Sequence, residues 1–125
     1  MPKRPTILIA DDNAAQRKVL ELFLRAYDVA SAQDGQEALD YLKQRTPDLM
    51  ILDITMPFVN GIEVCERVKR GGLRHVPVIM LTSLTDDRTR AAVKAAGADL
   101  HLAKPVTGTI QQTVSRLLNP RQGQA

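Results

Sequence analysis

The chain has 125 residues, enough for one domain with a buried core and too few for two ordinary ones. Apolar residues make up 44% and charged residues 25%, a soluble-protein balance, and no apolar run is long enough for a membrane span or a signal peptide. The net charge of +3 is scattered, and its one loose cluster (Lys69, Arg70, Arg74, His75) is broken by Gly71-Gly72, a pattern of solvated helix ends rather than a nucleic-acid surface.

The first apolar run, Thr6-Ile7-Leu8-Ile9-Ala10, has the length of a buried strand and ends in Asp11-Asp12-Asn13. A helix follows over about 14–26, with Val19, Leu20, Phe23, Leu24 and Tyr27 on its inward stripe. A short, weak strand covers 28–32. Asp34 and Glu37 have capping-box spacing for a second helix that ends near Arg45, before Thr46-Pro47. The third strand covers 49–53 and ends in Asp53. Pro57 and Asn60-Gly61 mark the loop that leads to a helix over 62–70. Cys65 sits at helical spacing from Ile62 and Val68 and reads as a small buried thiol. As the single cysteine it allows no intrachain disulfide and fits a reducing cytoplasm.

A fourth strand over 76–82 is followed by Thr85-Asp86-Asp87, with acids suited to the first turn of an Ala-rich helix that stops at Gly97. The fifth strand covers 99–102 and precedes Ala103-Lys104-Pro105. The last helix spans 109–118, with Ile110, Val114, Leu117 and Leu118 inward, and 120–125 is expected to be a loose tail. Five strands alternating with five helices predict an α/β fold: a doubly wound, three-layer sandwich around a parallel sheet. Strands one, three, four and five read as fully covered.

Asp11, Asp12, Asp53, Thr82 and Lys104 all fall at or just past strand ends. In a parallel sheet those ends share one edge, which is where such sheets bind ligands. Singly, each residue is a common cap, turn former or solvated charge; five together predict a site. Asp12 and Asp53 can ligate a hard divalent cation, with the Thr55 backbone carbonyl as a further ligand and Asp11 acting through water. The expected ion is Mg²⁺, with Mn²⁺ as a substitute. An ionised Asp53 is then a nucleophile towards phosphorus, and Lys104, Thr82 and the cation can stabilise a transferring phosphoryl group.

This set resembles the receiver domain of two-component response regulators over nearly the whole chain. The matching residues are Asp11-Asp12, Asp53 with Met56-Pro57 and Gly61, Thr82-Ser83, Gly97-Ala98-Asp99, and Lys104-Pro105. The resemblance implies a (βα)5 flavodoxin-like fold, sheet order 2-1-3-4-5, a single receiver domain with its core at about 5–119, and a cis Lys104–Pro105 peptide. It implies that Asp53 accepts a phosphoryl group from a phosphohistidine of a sensor histidine kinase or phosphotransfer protein, which docks near helix one and the loop after strand five. It also implies a switch in which Thr82 turns inward and an aromatic ring on strand five follows. Here that ring is His101 in place of the usual Tyr or Phe. Leu84, two residues after Thr82, cannot orient a hydrolytic water, which points to a slowly lost phosphate.

The expected protein is thus a cytoplasmic signalling switch and not an enzyme. Its output surface is the face of helix four, strand five and helix five, as a monomer or as a homodimer through that face. No membrane or direct nucleic-acid contact is expected, and the downstream target is unspecified. No output domain follows helix five, so the chain is either a stand-alone regulator or a receiver cut from a longer protein. One rival is an Asp-nucleophile phosphatase of the haloacid dehalogenase type, but Thr55 stands where that class carries its second Asp. The other is an interaction module that never takes phosphate. A flavin or nucleotide site lacks a glycine-rich phosphate loop.

Overall fold

The computed structural model describes residues 4–119, so the tail expected at 120–125 lies outside the described residues. The elements alternate strictly: β1 (Thr6–Ala10), α1 (Ala14–Phe23), β2 (Asp28–Ala32), α2 (Gly35–Gln44), β3 (Leu49–Leu52), α3 (Gly61–Arg70), β4 (Val78–Thr82), α4 (Asp87–Ala95), β5 (Leu100–Ala103) and α5 (Thr109–Leu118). All neighbouring strands pair in parallel, in the order β2-β1-β3-β4-β5.

Successive strand residues point to opposite faces, so each central strand feeds two cores. Leu8, Met50, Leu52, Val78 and Met80 join Ala38 and Leu39 of α2, Val64, Cys65 and Val68 of α3, and Val93 of α4. Ile7, Ile9, Leu49, Ile51, Ile79 and Leu81 meet Leu20 and Leu24 near α1 and Ile110 and Val114 of α5. Fully burying each Val, Leu, Ile or Met among these contributes about 1.5–3 kcal/mol. Nearly continuous aliphatic strands are what a sheet covered on both sides requires. β5 departs from that expectation: it is an edge strand, with Leu100 exposed and its other residues only partly covered or exposed.

Several boundaries also differ from the sequence expectation. α1 stops at Phe23: the Leu24 N–H still donates to the Leu20 carbonyl, but the Tyr27 N–H donates to the Leu24 carbonyl in a tighter turn, and the carbonyls of Arg25, Ala26 and Tyr27 accept from the Arg4 guanidinium. Val19, expected inward, is exposed. β4 begins at Val78, since Pro77 has no N–H and the Val76 N–H is taken by Leu73 within the preceding turn. β5 begins and ends one residue later than expected: Asp99 stays outside the strand, and its carboxylate accepts from the Val78 N–H and from Lys69. Glu37 reaches back, but to the Gln33 N–H, one residue before the Asp34 cap.

Cys65 is fully buried, and its Sγ donates to the Ala96 carbonyl at 3.5 Å. Burial pushes the thiol up to about 11. Thiolate is the reactive form, so native protein at pH 8 is expected to react with a disulfide reagent at least a hundredfold more slowly than free cysteine. Denaturation should restore the ordinary rate, read as released chromophore against time.

Candidate functional site

Three strand ends and their loops build one rim. Asp11 follows β1, Asp53 follows β3, and Lys104 follows β5. The parallel register brings them level: Asp53 N–H donates to the Ala10 carbonyl at 2.9 Å, and Lys104 N–H donates to the Thr82 carbonyl at 3.0 Å. Asn13 caps α1 by accepting from the Gln16 N–H, and Asn60 caps α3 by accepting from the Glu63 N–H, which fixes both exit loops. Gly61 lies so close to the Asp53 carbonyl that a Cβ there would overlap it. The Gly61 N–H also donates to the Ile54 carbonyl at 2.9 Å, closing the loop after Asp53 on itself.

The Lys104 Nζ donates to Asp53 Oδ2 at 2.8 Å and to Asp11 Oδ2 at 2.9 Å. The second oxygen of each carboxylate is also held: Asp53 Oδ1 by the Ile54 N–H, Asp11 Oδ1 by the Asn13 N–H. Asp11 and Asp53 are both buried, whereas Asp12 is exposed. Burial pulls the Lys104 ammonium down, but its hydrogen bonds to Asp53 and Asp11 and their charges outweigh that, so it titrates above the ordinary lysine value. The ammonium is therefore present at neutral pH.

Carboxylate oxygens of Asp11, Asp12 and Asp53 lie within 4.8 Å of one another. Three carboxylates against the Lys104 ammonium, with the Arg17 guanidinium at the Asp11 carbonyl, still leave the rim net negative. Among the described residues no donor is bonded to Asp12, and no N–H donates to the Thr55 carbonyl. That charge and those free oxygens fit a hard divalent cation.

Thr82 is buried and not bonded to Asp53; its Oγ1 accepts from the Leu84 N–H at 3.3 Å. His101 is partly buried, and its Nε2 lies 3.1 Å from the Leu84 carbonyl. A carbonyl only accepts, so that nitrogen carries the proton. Nδ1 is buried with no partner among the described residues. Leu84 is thus held from both sides by the two residues expected to form the switch. The Lys104–Pro105 peptide is cis.

Sequence reasoning missed Arg17, whose Nη1 donates to the Asp11 carbonyl at 2.6 Å. Its signal was a lone arginine one turn into the helix that follows the acid pair. It also missed Phe58, a bulky apolar residue among turn formers and 86% exposed.

The response regulator receiver domain family matches residues 7–115 of this chain. The chain belongs to that family. The receiver is 41% identical over 107 residues to the response regulator MprA of Mycolicibacterium vanbaalenii, covering 84% of this chain and 45% of the relative. It is 37% identical over 108 residues to the transcriptional regulatory protein AfsQ1 of Streptomyces coelicolor, covering 85% and 47%. The chain thus spans less than half the length of these relatives. Among solved structures, the receiver is similar to the signal receiver domain of a signal transduction histidine kinase from Syntrophus aciditrophicus (TM-score 0.86, 34% identity, 93% of this chain and 91% of that one). It is also similar to the Vibrio cholerae chemotaxis protein CheY4 (TM-score 0.84, 30% identity, 91% and 98%). Among the described residues of the receiver, no helix is long and apolar enough to cross a membrane.

Proposed function

We propose that this receiver takes a phosphoryl group on Asp53 from a phosphohistidine of a sensor histidine kinase or phosphotransfer protein, in a Mg²⁺-dependent reaction, and thereby switches a protein-binding surface. The observation that carries this is the Lys104 ammonium bridging Asp11 and Asp53 beside a third carboxylate, at the edge where parallel sheets bind ligands. An Asp53 oxygen attacks phosphorus while the phosphorus–nitrogen bond to the partner's imidazole breaks, and the imidazole leaves with that bonding pair. Lys104 holds the Asp53 carboxylate in place and meets the charge on the phosphoryl oxygens. Asp11, Asp12, Asp53 and the Thr55 carbonyl would hold Mg²⁺. Bound there, the ion offsets charge between carboxylate and phosphoryl group.

Thr82 is the route outward. Its hydroxyl, once turned to a phosphoryl oxygen, lets go of the Leu84 N–H. The loop after β4 is then freed on one side and remains tied to His101 on the other. Phosphorylation thus biases the face of α4, β5 and α5. The chain is a stoichiometric acceptor rather than a turnover enzyme, in the cytoplasm, as a monomer or as a homodimer through that face. The transcriptional role named for AfsQ1 belongs to that longer protein; we propose no direct nucleic-acid contact for this receiver.

Intact mass after incubation with acetyl phosphate and Mg²⁺ tests the reading. One added phosphoryl group is expected in wild type, with none in Asp53→Asn and none with chelator. No adduct from either acetyl phosphate or a phosphohistidine donor would leave the interaction-module reading.

A further inference from the structure

We infer that Phe58 is an apolar anchor for the protein that delivers the phosphoryl group, seated in a hydrophobic pocket beside that partner's phosphohistidine; this rests on the reading of Asp53 as acceptor. Among the described residues Phe58, at 86% exposed, stands well above the next large apolar side chain, Leu22, at 64%. Its φ is 69°, and among the described residues it is the one non-glycine with a positive value. The Val59 N–H donates to the Pro57 carbonyl at 2.9 Å, so Phe58 is the centre of a three-residue turn of the rarer, strained hand. A bulky residue is a poor choice there, where glycine or asparagine fits without strain.

The surroundings hold that strain in place. Ile54, Met56 and Val59 of the same loop are buried. Gly35 is packed against the Val59 carbonyl so closely that a Cβ would overlap it, and Gly61 is packed the same way on Asp53. The loop is therefore fixed, with a single aromatic ring turned into solvent. Strained positions of this kind gather at ligand clamps and functional rims.

Position decides the occupant. Phe58 is three residues from Gly61, hence within about 11 Å of a residue that touches the Asp53 backbone. A specific protein interface covers about 800 Å² on each partner, a disc of roughly 16 Å radius. A protein donor that brings phosphorus onto Asp53 has a footprint wide enough to cover Phe58. A small-molecule donor does not. Buried aromatic anchors carry much of the energy of such interfaces, and a rigid one needs little ordering.

The test compares the two donors. Phe58→Ala and Phe58→Asn chains are loaded with acetyl phosphate and Mg²⁺, and separately by the phosphorylated kinase domain that loads wild type fastest among those of its own genome. Acetyl phosphate rates should match wild type. Kinase transfer at subsaturating receiver should fall about thirtyfold in both variants, with the maximal rate kept and with recovery in Phe58→Tyr. Equal kinase transfer in Phe58→Ala overturns the proposal. So does a wild type that takes phosphate from acetyl phosphate and from no kinase. Sedimentation showing a wild-type dimer that Phe58→Ala abolishes would make the occupant a second copy and overturn it as well. Failure of acetyl phosphate on wild type is distinct: that outcome removes the acceptor reading itself.

Discussion

A chain carrying Lys104→Met is expected to bind Mg²⁺ about tenfold more tightly than wild type while taking up phosphate from acetyl phosphate at least a hundredfold more slowly. The two effects have one origin. The Lys104 ammonium occupies Asp53 Oδ2 and Asp11 Oδ2 at 2.8 and 2.9 Å, the same carboxylates that would face the cation. Removing a unit charge a few ångströms from the metal site raises cation affinity; at an effective dielectric near 20 the gross repulsion between that charge and a divalent ion is about 8 kcal/mol at 4 Å, of which about 1.4 kcal/mol surviving screening gives the tenfold gain. The same removal takes away a preorganised cation at the place where phosphoryl charge develops, and losses of 10²–10³ are usual for such groups. Calorimetry gives the affinity and intact mass against time gives the rate. Weaker Mg²⁺ binding in the variant would show that Lys104 orders the carboxylates more than it competes for them.

The pH dependence follows from the raised Lys104 value. Stability from the ammonium's two ion pairs is fully present below the ordinary lysine value of about 10.4 and is lost as pH rises through the higher folded value. In metal-free buffer, the stability difference between wild type and Lys104→Met should therefore hold across neutral pH and shrink only in strong alkali.

Gly61→Ala carries the second large effect. A Cβ at residue 61 would overlap the Asp53 carbonyl and crowd its carbon at 2.8 Å, with the Ile54 Cα at 3.2 Å. These are backbone atoms of one closed loop, so relief requires moving Asp53 itself. A destabilisation of about 3 kcal/mol or more is expected, at the large end for single substitutions. Gly72→Ala is the control: nothing lies within 4 Å of a Cβ there, and the change should stay within about 0.5 kcal/mol. Denaturant midpoints at constant slope measure both.

The strands and the rim were legible because both rest on local patterns. Runs such as Leu49-Met50-Ile51-Leu52 are short, aliphatic and closed by an acid, and strict alternation with helices leaves few topologies. Once the sheet is parallel, Asp11, Asp53 and Lys104 must share an edge. What stayed hidden depends on distant partners. Arg4 holds the turn after α1 by reaching across the fold to the carbonyls of residues 25–27. Lys69, which read as part of a loose basic cluster, is held at the carbonyls of Arg74 and Val76 and the Asp99 carboxylate, so it fastens the approach to β5. Val19 fits the helical period of α1 yet faces solvent, since periodicity sets an arc and not its edges. Phe58 carries no periodic signal, because its place is fixed by a turn.

The most direct measurement of the central claim locates the phosphate. Chain loaded with acetyl phosphate and Mg²⁺ is reduced with borohydride, which converts an aspartyl phosphate to homoserine, then digested and sequenced by mass spectrometry. Homoserine at position 53, dependent on Mg²⁺, is the predicted result. Homoserine at Asp11 or Asp12, or a loaded chain with position 53 unmodified, would contradict the account.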